Sequence, residues 1–194
     1  MGMDYPLTHP YAKGDPMISL IKASALLPFL MGAAASVAQP SFPVIKGHGG
    51  IHPTVGAGER PDEALRYRVV FNVTKPAVAG KSNPTLERVA RFVNLLGADG
   101  VRPRAGDLVA IVHGAATPSV MKDETFRARF GRANPDLAVI AALRKAGVEV
   151  HVCSQALVGN RIPRSDVHPL VQVDVAALTT LANLQLRGYA MIPD

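Results

Sequence analysis

The run from Asp107 to Gly114 is apolar at five successive positions, Leu108, Val109, Ala110, Ile111 and Val112. A segment with no polar side to offer water needs both faces covered, which is the condition of a strand inside a parallel sheet. A second run, Gly147 to Cys153, has the same character and is interrupted only by Glu149 and His151. Parallel neighbours require long crossover connections, usually helical. The chain therefore has to place helices between its strands.

The intervening sequence supplies them. Arg66 to Thr74 is rich in β-branched residues and reads as a first strand. Lys75 to Gly80 turns the chain, and Leu86, Val89, Phe92, Val93 and Leu96 then form a helical stripe over Thr85 to Leu96, closed by Gly97 and Gly100. Ala116 to Gly131 reads as a helix carrying Met121, Phe126 and Phe130 on one side. Asn134 and Pro135 have the composition of an N-cap and first turn, with Lys145 and Gly147 at the far end. After Cys153 come a short helix to Val158, a break at Gly159 to Pro163, and a strand at Leu170 to Val173. A helix from Val175 to Leu186 and a last strand at Tyr189 to Ile192 complete the pattern. Strands alternating with helices predict an α/β fold of three layers around a mostly parallel five-stranded sheet.

The 194 residues are 48% hydrophobic, enough for one core. The formal charge of +6 is scattered, and only Arg127 to Arg132 is locally dense. With Trp absent and aromatics at 5%, little is available for stacking on bases, so nucleic-acid binding is not expected.

Residues 23–38 carry no charge, follow Lys22 and end in Ser36-Val37-Ala38, with small residues at −3 and −1 of a signal-peptidase site. This predicts a signal peptide cleaved after Ala38 and a periplasmic or exported protein. Sixteen residues interrupted by Pro28 and Gly32 are short for a membrane span. A retained membrane anchor is the alternative reading. Asp4 and Asp15 do not suit such a leader, which points to Met17 as the start and residues 1–16 as an over-extension. Residues 39–65, rich in Gly and Pro, read as a flexible arm preceding a domain over 66–194.

Three strand ends meet at the carboxyl edge of such a sheet, where ligands gather: Asn72/Thr74, His113-Gly114 and Cys153-Ser154. Cys153 is the single cysteine and has no internal disulfide partner. At a strand end preceding a helix it faces free N–H groups and the positive end of a dipole, which favour a thiolate. A thiolate there can attack a disulfide, a persulfide or a peroxide. A neutral His113 can take the thiol proton or orient a substrate. The competing readings are a small buried hydrophobe for Cys153 and a satisfied strand-end histidine for His113.

Other motifs are quieter. His48 and His52 flank Gly49-Gly50, which opposes a helical metal pair, and read as a solvated loop. His151 shares strand parity with Glu149 and Cys153 and reads as a packed residue on the less apolar face. Gly56-Ala57-Gly58 lacks the flanking strand and helix of a dinucleotide fingerprint. Neither a phosphate loop nor a Gly-x-Ser-x-Gly elbow is present. Lys122 to Arg132 reads as a solvated helix face near a cavity mouth. No cofactor or metal is expected.

Asp107 to Gly114, Asn134 to Leu137, Gly147 to Gln155 and Leu178 to Tyr189 together resemble the DsrE/DsrF-like family over residues 66–192. The segment Val152-Cys153-Ser154-Gln155 carries most of the likeness. The resemblance implies a flavodoxin-like five-stranded sheet assembled as a homotrimer or hexamer. It also implies sulfur relay with Cys153 as the persulfide-bearing residue, Ser154 and Gln155 lining its loop, and a protein donor or acceptor of sulfur. Asn72 and Gly114 are the further substrate-binding candidates. Chemically, the readings leave a sulfur carrier or thiol redox protein, in which Cys153 is accessible. A non-catalytic oligomeric binding module, in which it is buried, is the alternative.

Overall fold

A computed structural model describes residues 39–194. The expected signal peptide, its cleavage after Ala38 and the start at Met17 lie outside the described residues. Five strands, β1 (Val69–Val73), β2 (Leu108–Val112), β3 (Glu149–Cys153), β4 (Gln172–Asp174) and β5 (Ala190–Ile192), form one sheet in the order β4-β3-β2-β1-β5. All four pairings are parallel. The helices are α1 (Pro84–Ala98), α2 (Asp123–Phe130), α3 (Leu137–Lys145), α4 (Ser154–Gly159) and α5 (Ala177–Leu186). This is the expected α/β architecture.

Side-chain alternation along the strands builds three layers. Val69, Phe71 and Val73 of β1 and Val150 and Val152 of β3 pack against Leu86 and Val89 of α1 and Ile140 and Leu143 of α3. On the opposite face Val70, Val109, Ile111 and Cys153 meet Ala177 and Leu184 of α5. The first face is fully apolar. The second is covered more thinly and also carries Asn72, Glu149 and His151, so polar chemistry concentrates there.

Helix α1 starts where its sequence dictates: Asn83 Oδ1 accepts from Thr85 N at 2.9 Å and Leu86 N at 3.3 Å, and Pro84 occupies the first turn. The expected helix over Ala116 to Gly131 is instead a 3-10 turn, Gly114–Val120, followed by α2. Pro118 lacks an N–H, and Met121 is extended and bridged to Val167 while Lys122 N donates to Asp166 O at 2.7 Å. Tertiary pairing splits the segment. Asn134 does not cap a helix at Pro135, since α3 begins at Leu137. Its buried amide donates to Ser119 O and Met121 O, and its Oδ1 accepts from Asp136 N.

The Gly/Pro-rich segment is not a free arm over its first half. Ser41 and Ile51 exchange two backbone hydrogen bonds, and Ile45 and Ile51 are buried. Asn94 of α1 accepts from Val44 N and Ile45 N, and its amide donates to the carbonyls of Ile45, His48 and Gly49. Gly49 makes this possible: its φ is +60°, and a Cβ there would stand 2.1 Å from Arg91 N. His48, expected in a solvated loop, is 2.8 Å from Glu87 Oε1 through Nδ1. Periodicity could not reveal this packing, because it rests on one buried amide and one close backbone approach. Among the described residues no helix is long and apolar enough to cross a membrane.

Candidate functional site at the carboxyl edge of the sheet

Cys153 ends β3 and caps α4, where its Sγ accepts from Ala156 N at 3.4 Å. The sequence reading as a reactive thiol expected it to be accessible. It is 6% exposed, because the strand parity that carries Glu149 and His151 also turns Cys153 under Ala177 and Leu184 of α5. Ser154 Oγ donates to Val175 O at 2.7 Å and ties the start of α4 to the β4–α5 connection. Gln155 is exposed beside it.

Val112 pairs with Val152, so the same register carried one residue further sets His113 beside Cys153, one strand spacing of roughly 5 Å away between backbones. His113 Nε2 lies 2.6 Å from Asn72 Oδ1 on the next strand. An amide oxygen only accepts, so Nε2 carries the proton and Nδ1 is left as the base. Burial lowers the His113 pKa from its ordinary value, against a smaller opposing pull from Asp194, and the ring is neutral at pH 7. Gly114 follows with φ +58°, and its carbonyl accepts from Thr117 Oγ1 and from Asn160 Nδ2. Asn160 therefore ties the end of α4 to the His113-Gly114 turn. Asn72, His113, Gly114 and Cys153 are thus brought to one edge.

Two residues that sequence reasoning passed over, Asp174 and Asp194, belong to this edge. Asp174 pairs in register with Cys153, and its carboxylate accepts from Gln172 Nε2, Thr180 Oγ1 and His151 Nδ1. Desolvation pushes the Asp174 pKa up, but these hydrogen bonds outweigh it and hold the group below its usual value. His151 Nε2 also lies 3.2 Å from Glu149 Oε2. This acid–histidine–acid row borders a cleft of about 630 Å³ alongside α5. The only sequence signal for Asp174 was its place one residue beyond an expected strand. Among the described residues no group of three or more His, Cys, Asp or Glu is arranged to hold a metal.

Asp194 closes the edge at β1. Its side chain accepts from Thr74 N, Thr74 Oγ1, Lys75 N and Thr85 Oγ1. Desolvation raises its pKa, but those donors together pull it down to about 2. A depressed carboxylate stabilises the fold above its unfolded pKa, and that contribution is lost as pH falls through the folded value. Asp194→Asn is expected to cost about 2 kcal/mol at pH 7. The gap should close between about pH 4 and pH 2. Urea unfolding of both proteins across that range measures it.

The fold is similar to a solved protein of unknown function, MTH1491 from Methanobacterium thermoautotrophicum, at 20% identity and a TM-score of 0.49, covering 66% of this chain and 99% of that one. No curated protein matches the sequence. Residues 67–193, which contain every strand and helix described and all of the carboxyl edge except Asp194, match the DsrE/DsrF-like family, and the chain belongs to that family.

Proposed function

We propose that this protein is an exported sulfur carrier in which Cys153 holds a persulfide. The observation supporting it is the position of Sγ: it ends a strand, accepts the Ala156 N–H, and has neutral His113 on the adjoining strand end. His113 Nδ1 takes the thiol proton. The thiolate then attacks the outer sulfur of a donor persulfide, R–S–S–H. A bond forms between Sγ and that sulfur, the donor S–S bond breaks, and R–S⁻ leaves and takes up the proton from His113. No external oxidant or reductant is required. Burial under α5 shields the product from bulk reductants, and the exposed Gln155 turn is the side from which a donor approaches.

Treating folded protein with polysulfide and reading its intact mass tests this. The expected result is a gain of one sulfur atom, reversed by dithiothreitol. A protein that gains no sulfur and resists iodoacetamide until unfolded would overturn it. That outcome would leave the non-catalytic binding module, which the 6% exposure of Cys153 favours.

Self-association is part of the same proposal. Val175, Leu178 and Leu186, on or just before α5, the thin layer of the fold, and Val158 on α4 are each at least 75% exposed. Such a patch suits burial against further copies, as a homotrimer or hexamer. Leu178→Asp is expected to shift the protein to monomer in sedimentation, with its circular dichroism unchanged. An unchanged sedimentation coefficient would place the interface elsewhere.

A further inference from the structure

After β4 the chain turns at Val175 and Ala176 and enters α5 at Ala177, and Ala176 and Ala177 pack in the same small cluster as Cys153. Little holds this turn down. The N-cap of α5 is Ala176, which has no side-chain group to offer the first N–H groups of the helix. From Val175 to Thr179 only Ala177 is buried, and Val175 and Leu178 are exposed. The surroundings are tied more firmly. Asp174 accepts from Gln172, His151 and Thr180, and its 2.9 Å bond from Thr180 Oγ1 closes the base of the turn. Asn160 holds the far end of α4 through Gly114 O. Among the described residues a single side-chain hydrogen bond reaches the turn from outside it, Ser154 Oγ to Val175 O at 2.7 Å.

We propose that residues 175–179 form a flap over Cys153, latched by the Ser154 hydroxyl, and that its opening admits the sulfur donor to a thiol that is covered when the flap is shut. This rests on the sulfur-carrier reading and adds how access to that site is controlled. A carrier thiol has to meet a bulky donor, yet a persulfide left open to solvent is lost to any thiol that attacks it. A flap meets both needs. Opening it unwinds the first turn of α5, which breaks the Thr180 N to Ala176 O bond and the Ser154 to Val175 bond and lifts the methyl group of Ala177. The Thr180–Asp174 bond keeps the rest of α5 in place. Unwinding an uncapped helix end with one small buried side chain belongs to the low end of local stabilities. Ser154 directly follows Cys153 in the chain, so a donor that engages the Ser154-Gln155 turn competes with Val175 O for the latch hydroxyl. Arrival of the donor thereby favours the open flap.

Alkylation of Cys153 by iodoacetamide in the folded full chain, followed by intact mass, reads the flap. The parent should label slowly, at a rate that is flat in low urea, because a local opening exposes little surface. Ser154→Ala should label about three- to tenfold faster, the loss of one hydrogen bond. Ser154→Thr keeps the hydroxyl and should return the rate to that of the parent. Ala176→Ser supplies the missing cap and should slow labelling about fivefold. In Cys153→Ala, which has no thiol chemistry, the Thr180 amide should exchange with deuterium faster than the amides of the last turn of α5, and faster again once Ser154→Ala is added. A labelling rate that climbs with urea in step with unfolding overturns the flap. So do equal rates in the parent, Ser154→Ala and Ala176→Ser. The two readings fail separately. Labelling that follows the latch, with no sulfur gained from polysulfide, keeps the flap and removes the carrier. Sulfur uptake with labelling indifferent to both substitutions keeps the carrier and removes the flap.

Discussion

In Cys153→Ala, polysulfide treatment should leave the intact mass unchanged, while the parent protein gains one sulfur. The chain has no second cysteine to take the atom, so the loss is complete rather than graded. His113→Phe should retain the end point but slow its approach about a hundredfold at pH 7, the ordinary worth of a positioned base. The ring removed is the neutral acceptor on the strand end adjoining the one that carries the thiol, and a phenyl group fills its space without a nitrogen. Asn72→Ala should have a smaller effect in the same direction, since it frees the ring that Asn72 Oδ1 holds at Nε2. The pH profile separates chemistry from packing. Burial keeps His113 neutral to a lower pH than a free imidazole, so uptake in the parent should persist below the ordinary histidine range and fall only when Nδ1 is protonated. His113→Phe should lack that step. A variant as fast as the parent at every pH would remove His113 from the reaction.

Asn94→Ala should destabilise the protein by about 3–5 kcal/mol, among the largest single effects available outside the sheet. Asn94 is fully buried and makes five hydrogen bonds to the backbone of residues 44–49. Alanine leaves two N–H groups and three carbonyls without that partner next to the core residue Ile45. Unsatisfied buried groups cost about 1–3 kcal/mol each, and relaxation toward water recovers part of the sum. Gly49→Ala should act through the same contact from the other side, because its Cβ would collide with the backbone of α1. Hydrogen exchange should show the Ser41–Ile51 bridge opening in both variants while β1 to β3 remain protected. A loss below about 1 kcal/mol in Asn94→Ala would mean that the segment contributes little to the fold.

The order of strands and helices was legible because burial on both faces leaves an unmistakable record: five apolar residues in a row at Leu108–Val112 admit no solvent side. The same reasoning placed Cys153, His113 and Asn72 at strand ends, since parity and run length fix where a strand stops. Three things were not legible. Met121 and Lys122 break an expected helix because Val167 and Asp166, more than forty positions away, take their backbone groups. The segment from Ser41 to Ile51 has no period, and its order depends on a single amide in α1. Asp174 and Asp194 enter the edge through pairing and side-chain capture across long separations, which no local pattern encodes. The sequence by itself determined the layered α/β architecture and the residues that reach its carboxyl edge, because periodicity and burial are local properties of a chain. Only the tertiary structure decided that Cys153 is covered, that His113 is neutral and tethered, and that the Ser154 hydroxyl is bonded to the turn before α5. Each of those depends on what another part of the chain brings against it.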